Sequence, residues 1–164
     1  RVQGTYWRGA TMTYDDIKLR GCWNSAEIGS FLDKTTIPMR LAVHDSASSP
    51  WVVSLWFLYD DGAFWCATNR NAKLVSYLKG HPQCGFEVAG DTPPYHGLRG
   101  KGQATLLQER GAEILGRLLK RYSISLESSL ARSLLAKVDQ EVAICIKPRS
   151  ISSWDFTDRM ADAV

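Results

Sequence analysis

The sequence predicts an α+β domain that is mainly β: an antiparallel barrel with short helices at its periphery. Three observations carry this. Six or so strand-like runs are interspersed with short helical patterns and tight turns along a chain of 164 residues, a pattern that favours antiparallel pairing. The run Trp51 to Tyr59 is apolar on both faces, with Trp51, Val53, Leu55, Phe57 and Tyr59 on one and Val52, Ser54, Trp56 and Leu58 on the other. An open sheet with one wet face alternates more cleanly, so a barrel strand covered outside by a helix, a partner subunit or a flat ligand fits better. Asp60-Asp61-Gly62 then follows as a hairpin turn, its Gly supplying the positive φ such turns need.

In order, residues 1–22 form an N-terminal arm that carries Trp7 and Tyr14 and shows no clear period. Asn24 starts a helix, with Glu27 three positions on at the spacing of a capping box. Ile28, Phe31 and Leu32 form its apolar face, and Pro38 requires it to end near Thr35. Met39–Val43 is a short strand, and Ala63–Thr68 returns from the hairpin. Ala72–Lys79 is a helix stopped by Gly80 and Pro82, with His81 as its C-terminal cap. Gln83–Ala89 and Leu98–Gln108 are strands. Gly100 and Gly102, two apart in the second, predict a bulge or the close approach of another backbone or a ligand. Residues 109–137 are a helical insertion of two patterns, Ile114/Leu115/Leu118/Leu119 and Leu126/Leu130/Leu134/Leu135. Glu141–Lys147 is the last strand, closed by Pro148, and Ser150–Phe156 is extended again. The whole of 1–164 is expected to be one domain, without repeat or linker.

Composition narrows the function. The net charge of +3 is mild, and the basic residues are scattered rather than blocked, which argues against nucleic acid. No apolar run approaches the roughly 18–20 residues that cross a bilayer, so no membrane association is expected. No secretory leader is recognisable; the first residue is Arg1 rather than Met, and some sequence is expected to precede it. Four cysteines form no C-x-x-C pair and have no His at a zinc-ligand spacing. Cys66, Cys84 and Cys145 lie in apolar strand patterns and read as buried free thiols, which fits a reducing cytoplasm. No metal site is expected, and no nucleophile–base set can be argued from spacing, because such partners meet only in space.

One place does concentrate chemistry. The strand ending in Ala67-Thr68 passes through a loop with Arg70 into a helix beginning near Lys73. A helix N-terminus offers unpaired N–H groups and a favourable dipole, and phosphate binds there readily. Thr68 brings a hydroxyl, Arg70 a planar fork and Lys73 a point charge. The other reading of the same residues is a solvated basic loop. Arg40, in mid-strand, either faces solvent or meets an anion or an electron-rich ring.

The order MRLAV, VVSLWFLYDDGAFWCAT, AKLVSYLKGHPQCGFEV, YHGLRGKGQATL resembles the pyridoxamine 5′-phosphate oxidase-related flavoproteins, over Pro38 to Leu107 with a looser echo at IKPRSISSWDF. The resemblance implies their FMN-binding fold, a six-stranded antiparallel split β-barrel, in a homodimer with a flavin in each cleft between subunits. It implies that Met39, Arg40, Leu41 and Ala42 lie along the flavin ring, with Arg40 stabilising the negative charge of the reduced ring. It sets Ala67 and Thr68 beside the ribityl phosphate, with Arg70 and Lys73 holding that phosphate. It brings Tyr95 to Gly100, Arg99 included, towards the flavin from the second subunit, and Trp154 near the ring. The activity implied is that of an FMN-dependent oxidoreductase acting on a small molecule. Two alternatives share the resemblance: a reductase of the same fold using the deazaflavin F420, whose acidic tail would favour a basic groove leading away from the phosphate, and a flavin-binding sensor or carrier without turnover. Two departures narrow it. Trp154 is followed by DFTDRMADAV, without the Arg-x-His element that engages substrate in true pyridoxamine phosphate oxidases, and no His follows His96 to serve as the C-terminal haem ligand of haem-handling relatives.

Overall fold

The computed structural model of the chain describes residues 17–163. Its elements are β1 (Lys18–Arg20), α1 (Ser25–Lys34), β2 (Met39–His44), β3 (Pro50–Leu55), β4 (Leu58–Asp60), β5 (Ala63–Asn69), α2 (Lys73–Gly80), β6 (Gln83–Ala89), β7 (His96–Leu107), α3 (Gly111–Arg121), α4 (Ser129–Leu135) and β8 (Glu141–Asp155). One sheet runs β3-β2-β6-β7-β8-β5-β4, with β1 added in parallel along β8; every other pairing is antiparallel.

The expected six strands become eight. β1 emerges from the predicted arm, whose Trp7 and Tyr14 lie outside the described residues. The run 51–59 breaks at Trp56-Phe57 into β3 and β4. That break explains the form of the sheet, whose hydrogen-bonded order does not close. Its end strands are β3 and β4, and a two-residue connection holds Leu55 and Leu58 within about 11 Å. The sheet must therefore roll until its edges meet without pairing. At the gap the Phe57 N–H donates to the Tyr122 hydroxyl at 3.2 Å, and Trp56 stacks on Tyr122 with ring centroids 5.0 Å apart. The Arg121 guanidinium lies over Phe57 and donates to the Leu32 and Thr35 carbonyls at 2.5 and 2.6 Å. The end of α3 thus covers the split and ties α1 to it.

Leu41, Phe64, Phe86, Val88, Leu98, Ile144 and Ile146 fill the inner face of the sheet, and Ile28, Leu32, Leu74 and Leu78 from α1 and α2 pack against them. Outside, Ile114 and Leu118 of α3 pack on Leu58, Trp65 and Ala143. The two-faced apolar run is thereby half explained. Trp56 and Leu58 lie against α3, whereas Val52 stays 61% exposed. Cys66, Cys84 and Cys145 are free and buried; burial pushes the Cys84 thiol up to about 12 and raises those of Cys66 and Cys145 as well.

Local signals held where backbone geometry decided them. Asn24 accepts from the Ala26 and Glu27 N–H groups while Glu27 accepts from the Asn24 N–H, a complete capping box. Asp61 and Gly62 have φ of 49° and 71°, the paired positive values of a type I′ hairpin turn. Two expectations are corrected. Pro148 does not close the last strand, because β8 runs on through it. Lys101 pairs Ser150 and Gly102 pairs Pro148, leaving Arg149 as the extra residue of a bulge, a place where the missing N–H of Pro is tolerated. The second helical pattern holds only at Leu134, which packs against α3: Leu126, Leu130 and Leu135 are exposed while Ala131 is buried.

Candidate functional site

The phosphate-type loop is built by its own side chains. Asn69 Oδ1 accepts from the Asn71 N–H at 2.9 Å, the Ala72 N–H returns to the Asn69 carbonyl at 2.9 Å, and the Arg70 N–H donates to the Gln140 carbonyl at 2.7 Å. The loop is thus pinned to the residues entering β8. Ala72 occupies the N-cap of α2 and provides no side-chain cap, so α2 begins with donors available to a ligand. Arg70 and Lys73 are exposed and form no ion pair among the described residues.

Beside this loop, Ala67, Thr68 and Asn69 line a cleft of about 400 Å³ together with Ser54, Trp56, Glu141 and, from α3 and α4, Leu115, Leu118 and Leu134. A second, larger groove of about 790 Å³ crosses the outer face of the sheet. Arg40, Ala42 and Arg99 line it with Lys18, Arg20 and Lys101, so five cations stand against the single carboxylate of Glu87. The two hollows meet on β2 and β3. Arg40 pairs directly across from Ser54, and Ala42 from Val52; directly opposed side chains lie about 4.5–5.5 Å apart at Cβ. The backbone register therefore leads from the Thr68 cleft, through Ser54 and Arg40, into the basic groove.

The open question at Arg40 has an answer in this structure. Its guanidinium meets anions, Asp91 at 2.9 Å and Glu87 at 3.5 Å, and also donates to the Ala89 carbonyl at 3.3 Å. The Met39 and Leu41 side chains are fully buried on the inner face of the sheet, because strand alternation that turns Arg40 and Ala42 outward turns their neighbours in; only their backbone is left to face a ligand. Arg99 and Trp154 come together, with the guanidinium 5.6 Å from the ring centroid, and with Phe156 they border a smaller hollow of about 250 Å³. Tyr95 is exposed, and its carbonyl accepts from the Phe156 N–H at 3.0 Å, tying its loop to the end of β8.

The sequence-predicted residues thus fall into three contiguous groups: Ala67, Thr68, Arg70 and Lys73; Arg40 and Ala42; Arg99 and Trp154. Sequence reasoning missed Ser54, Trp56, Glu141 and the cations Lys18, Arg20 and Lys101. The alternation of Lys18 with Arg20, and of Arg99 with Lys101, was a legible signal for a basic sheet face. Glu141 carried none. Among the described residues no group of His, Cys, Asp and Glu is arranged to hold a metal, and no helix is long and apolar enough to cross a membrane.

No family model and no curated protein sequence matches the chain. Solved structures do. An F420 reductase is 20% identical with a TM-score of 0.64, covering 74% of this chain and 93% of its own. A conserved hypothetical protein of Mycobacterium tuberculosis is 22% identical with a TM-score of 0.66, covering 85% and 87%. A Listeria innocua protein named for pyridoxamine 5′-phosphate oxidase is 18% identical with a TM-score of 0.60, covering 78% and 95%. The resemblance read from the residues and the likeness in three dimensions lead to one fold, that of the pyridoxamine 5′-phosphate oxidase-like proteins.

Proposed function

We propose that the chain binds a flavin-type cofactor through its ribityl phosphate and works with it as an oxidoreductase on a small molecule. The observation that carries this is the loop at residues 69–73: an uncapped helix start, two cations without ion-pair partners among the described residues, and a cleft at Thr68 that leads by backbone register to Arg40. Arg70 and Lys73 hold the phosphate, with Thr68 as a hydroxyl donor. The ring lies towards Arg40 and Ala42, where the guanidinium favours negative charge on a reduced ring. A bound flavin supplies the hydride or electron transfer, and the chain supplies position and electrostatics. The working form is a homodimer, in which Arg99 and Trp154 of the second subunit approach the ring.

The cofactor can be FMN or the deazaflavin F420, which share the ribityl phosphate. The visible spectrum of the purified protein, with mass spectrometry of what it releases on denaturation, distinguishes FMN from F420; a protein that takes up neither refutes the proposal. Lys73→Ala should weaken cofactor binding at least about tenfold, the scale of one charge-assisted hydrogen bond, with little change in melting temperature. Equal loss of binding and stability would make the loop ordinary surface. A monomer by light scattering with cofactor bound would refute the shared site.

A further inference from the structure

The cations of the basic groove stand in two rows. Backbone register sets Arg40, Glu87, Arg99, Ser152 and Arg20 in line across β2, β6, β7, β8 and β1. Two residues along, on the same face of the sheet, Lys101, Ser150 and Lys18 are in line across β7, β8 and β1. At the β2 end charge is balanced, because Arg40 meets Asp91 and Glu87. At the β1 end it is not. Lys18, Arg20, Arg99 and Lys101 form the corners of a rectangle about 10 Å by about 7 Å between Cα atoms, with Ser150 and Ser152 between them. All four are exposed, and none has an ion-pair partner among the described residues.

The rectangle is fixed by the fold. β1 brings two corners and lies so close to β8 that a Cβ on Gly21 would stand 2.0 Å from the Ser153 carbonyl oxygen. The Ser153 hydroxyl accepts from the Trp23 N–H at 2.9 Å and donates to the Arg20 carbonyl at 3.4 Å. Leu19 packs on the core, which turns Lys18 and Arg20 outward. Like charges gathered on one face repel each other, and the one carboxylate lining the groove, Glu87, is shared with Arg40.

We propose that this rectangle binds a small dicarboxylate, one carboxylate over each row. Each row is a cation, a hydroxyl and a cation, which is a seat for one singly charged group, and the Arg99 fork suits a carboxylate. Two seats about 7 Å apart along the strands select for two charges held at that separation. The proposed cofactor has its phosphate at residues 69–73, so these cations are left for a second ligand. The first row runs on to Arg40, where the ring is proposed to lie. As a substrate site the rectangle therefore rests on the function proposed above; as a dicarboxylate site it stands without it.

Adipate spans about the distance between the rows, succinate is shorter, and hexanoate has the adipate chain with one charge. They are titrated calorimetrically at neutral pH and low salt into the full chain as purified, its visible spectrum recorded alongside. Adipate should bind at least about tenfold tighter than hexanoate, the scale of one charge-assisted hydrogen bond, and tighter than succinate. Lys18→Ala with Lys101→Ala empties one row and should bring adipate to within about twofold of hexanoate, with little change in melting temperature. Lys18→Arg with Lys101→Arg should keep the preference. Lys73→Ala should leave it unchanged. Equal binding of adipate and hexanoate, no binding of either, succinate as tight as adipate, or a preference that survives the double Ala variant would each overturn the proposal. So would its loss in the double Arg variant or in Lys73→Ala. A protein that takes up neither FMN nor F420 but prefers adipate would refute the cofactor reading and leave this one intact; a flavin-loaded protein without the preference would do the reverse.

Discussion

At the scale of single residues, Glu141 makes stability depend on pH in a direction that can be worked out. Burial raises its pKa from the ordinary 4.5, so the folded chain keeps the proton to a higher pH than the unfolded chain. Between the two values the folded state binds more protons, and stability falls as pH rises through that window. Glu141→Gln removes the titration. It should raise the melting temperature near pH 7, where the wild-type carboxyl bears the cost of ionising in the fold. The gain should shrink towards zero as pH falls well below the ordinary 4.5, where the wild-type carboxyl is neutral in both states. A gain equal at both pH values would show that packing, not ionisation, is responsible. This residue was illegible in the sequence because a Glu at a strand start is usually solvated; only α3 and α4, folded over it, desolvate it. Asn24 and the Asp61-Gly62 turn were legible because their partners are within three residues.

At the scale of elements, legibility followed how far away the deciding contact lies. The α3 leucines were read inward and are inward, since Ile114, Leu115, Leu118 and Leu119 have a whole sheet to cover. Of the leucines that mark the second pattern, only Leu134 packs inward, and Leu126, Leu130 and Leu135 are exposed. Helix α4 has only seven residues, capped by Ser128, and meets the protein through fully buried Ala131. Periodicity marks an apolar face but not which small residue permits close approach. β7 gives the sharpest test of close approach. A Cβ at Gly100 would stand 2.2 Å from the Ser150 carbonyl oxygen and 2.4 Å from the Phe86 ring, whereas one at Gly116, on the exposed side of α3, would meet nothing within 4 Å. Gly100→Ala should therefore cost about 1–3 kcal/mol by overpacking. Gly116→Ala should stabilise by about 0.5–1 kcal/mol, through helix propensity and a less flexible unfolded chain. Urea unfolding of the two variants checks both signs. A tolerated Gly100→Ala would mean that β6, β7 and β8 are not packed at this spacing.

At the scale of the whole molecule, the basic loop at 69–73 could be read from sequence, but the groove could not. Its cations come from β1, β2 and β7, which are distant in sequence and neighbours only through β6 and β8. Scattered charge on the chain becomes a one-signed face in the fold, and such a face concentrates anions over a range set by salt. The face lies beyond Arg40, at the ring end of the proposed site, whereas the acidic tail of F420 leaves from the phosphate at the other end, so its charge favours neither cofactor. Replacing Lys18 and Lys101 together with Ala should therefore move FMN and F420 affinity alike, by less than about twofold at 0.1 M salt, because exposed charges farther than about 10 Å from the phosphate are screened. Calorimetric titration of the double variant with each cofactor checks this. A loss confined to F420 would put the tail in the groove and reverse the direction in which the cofactor is proposed to lie.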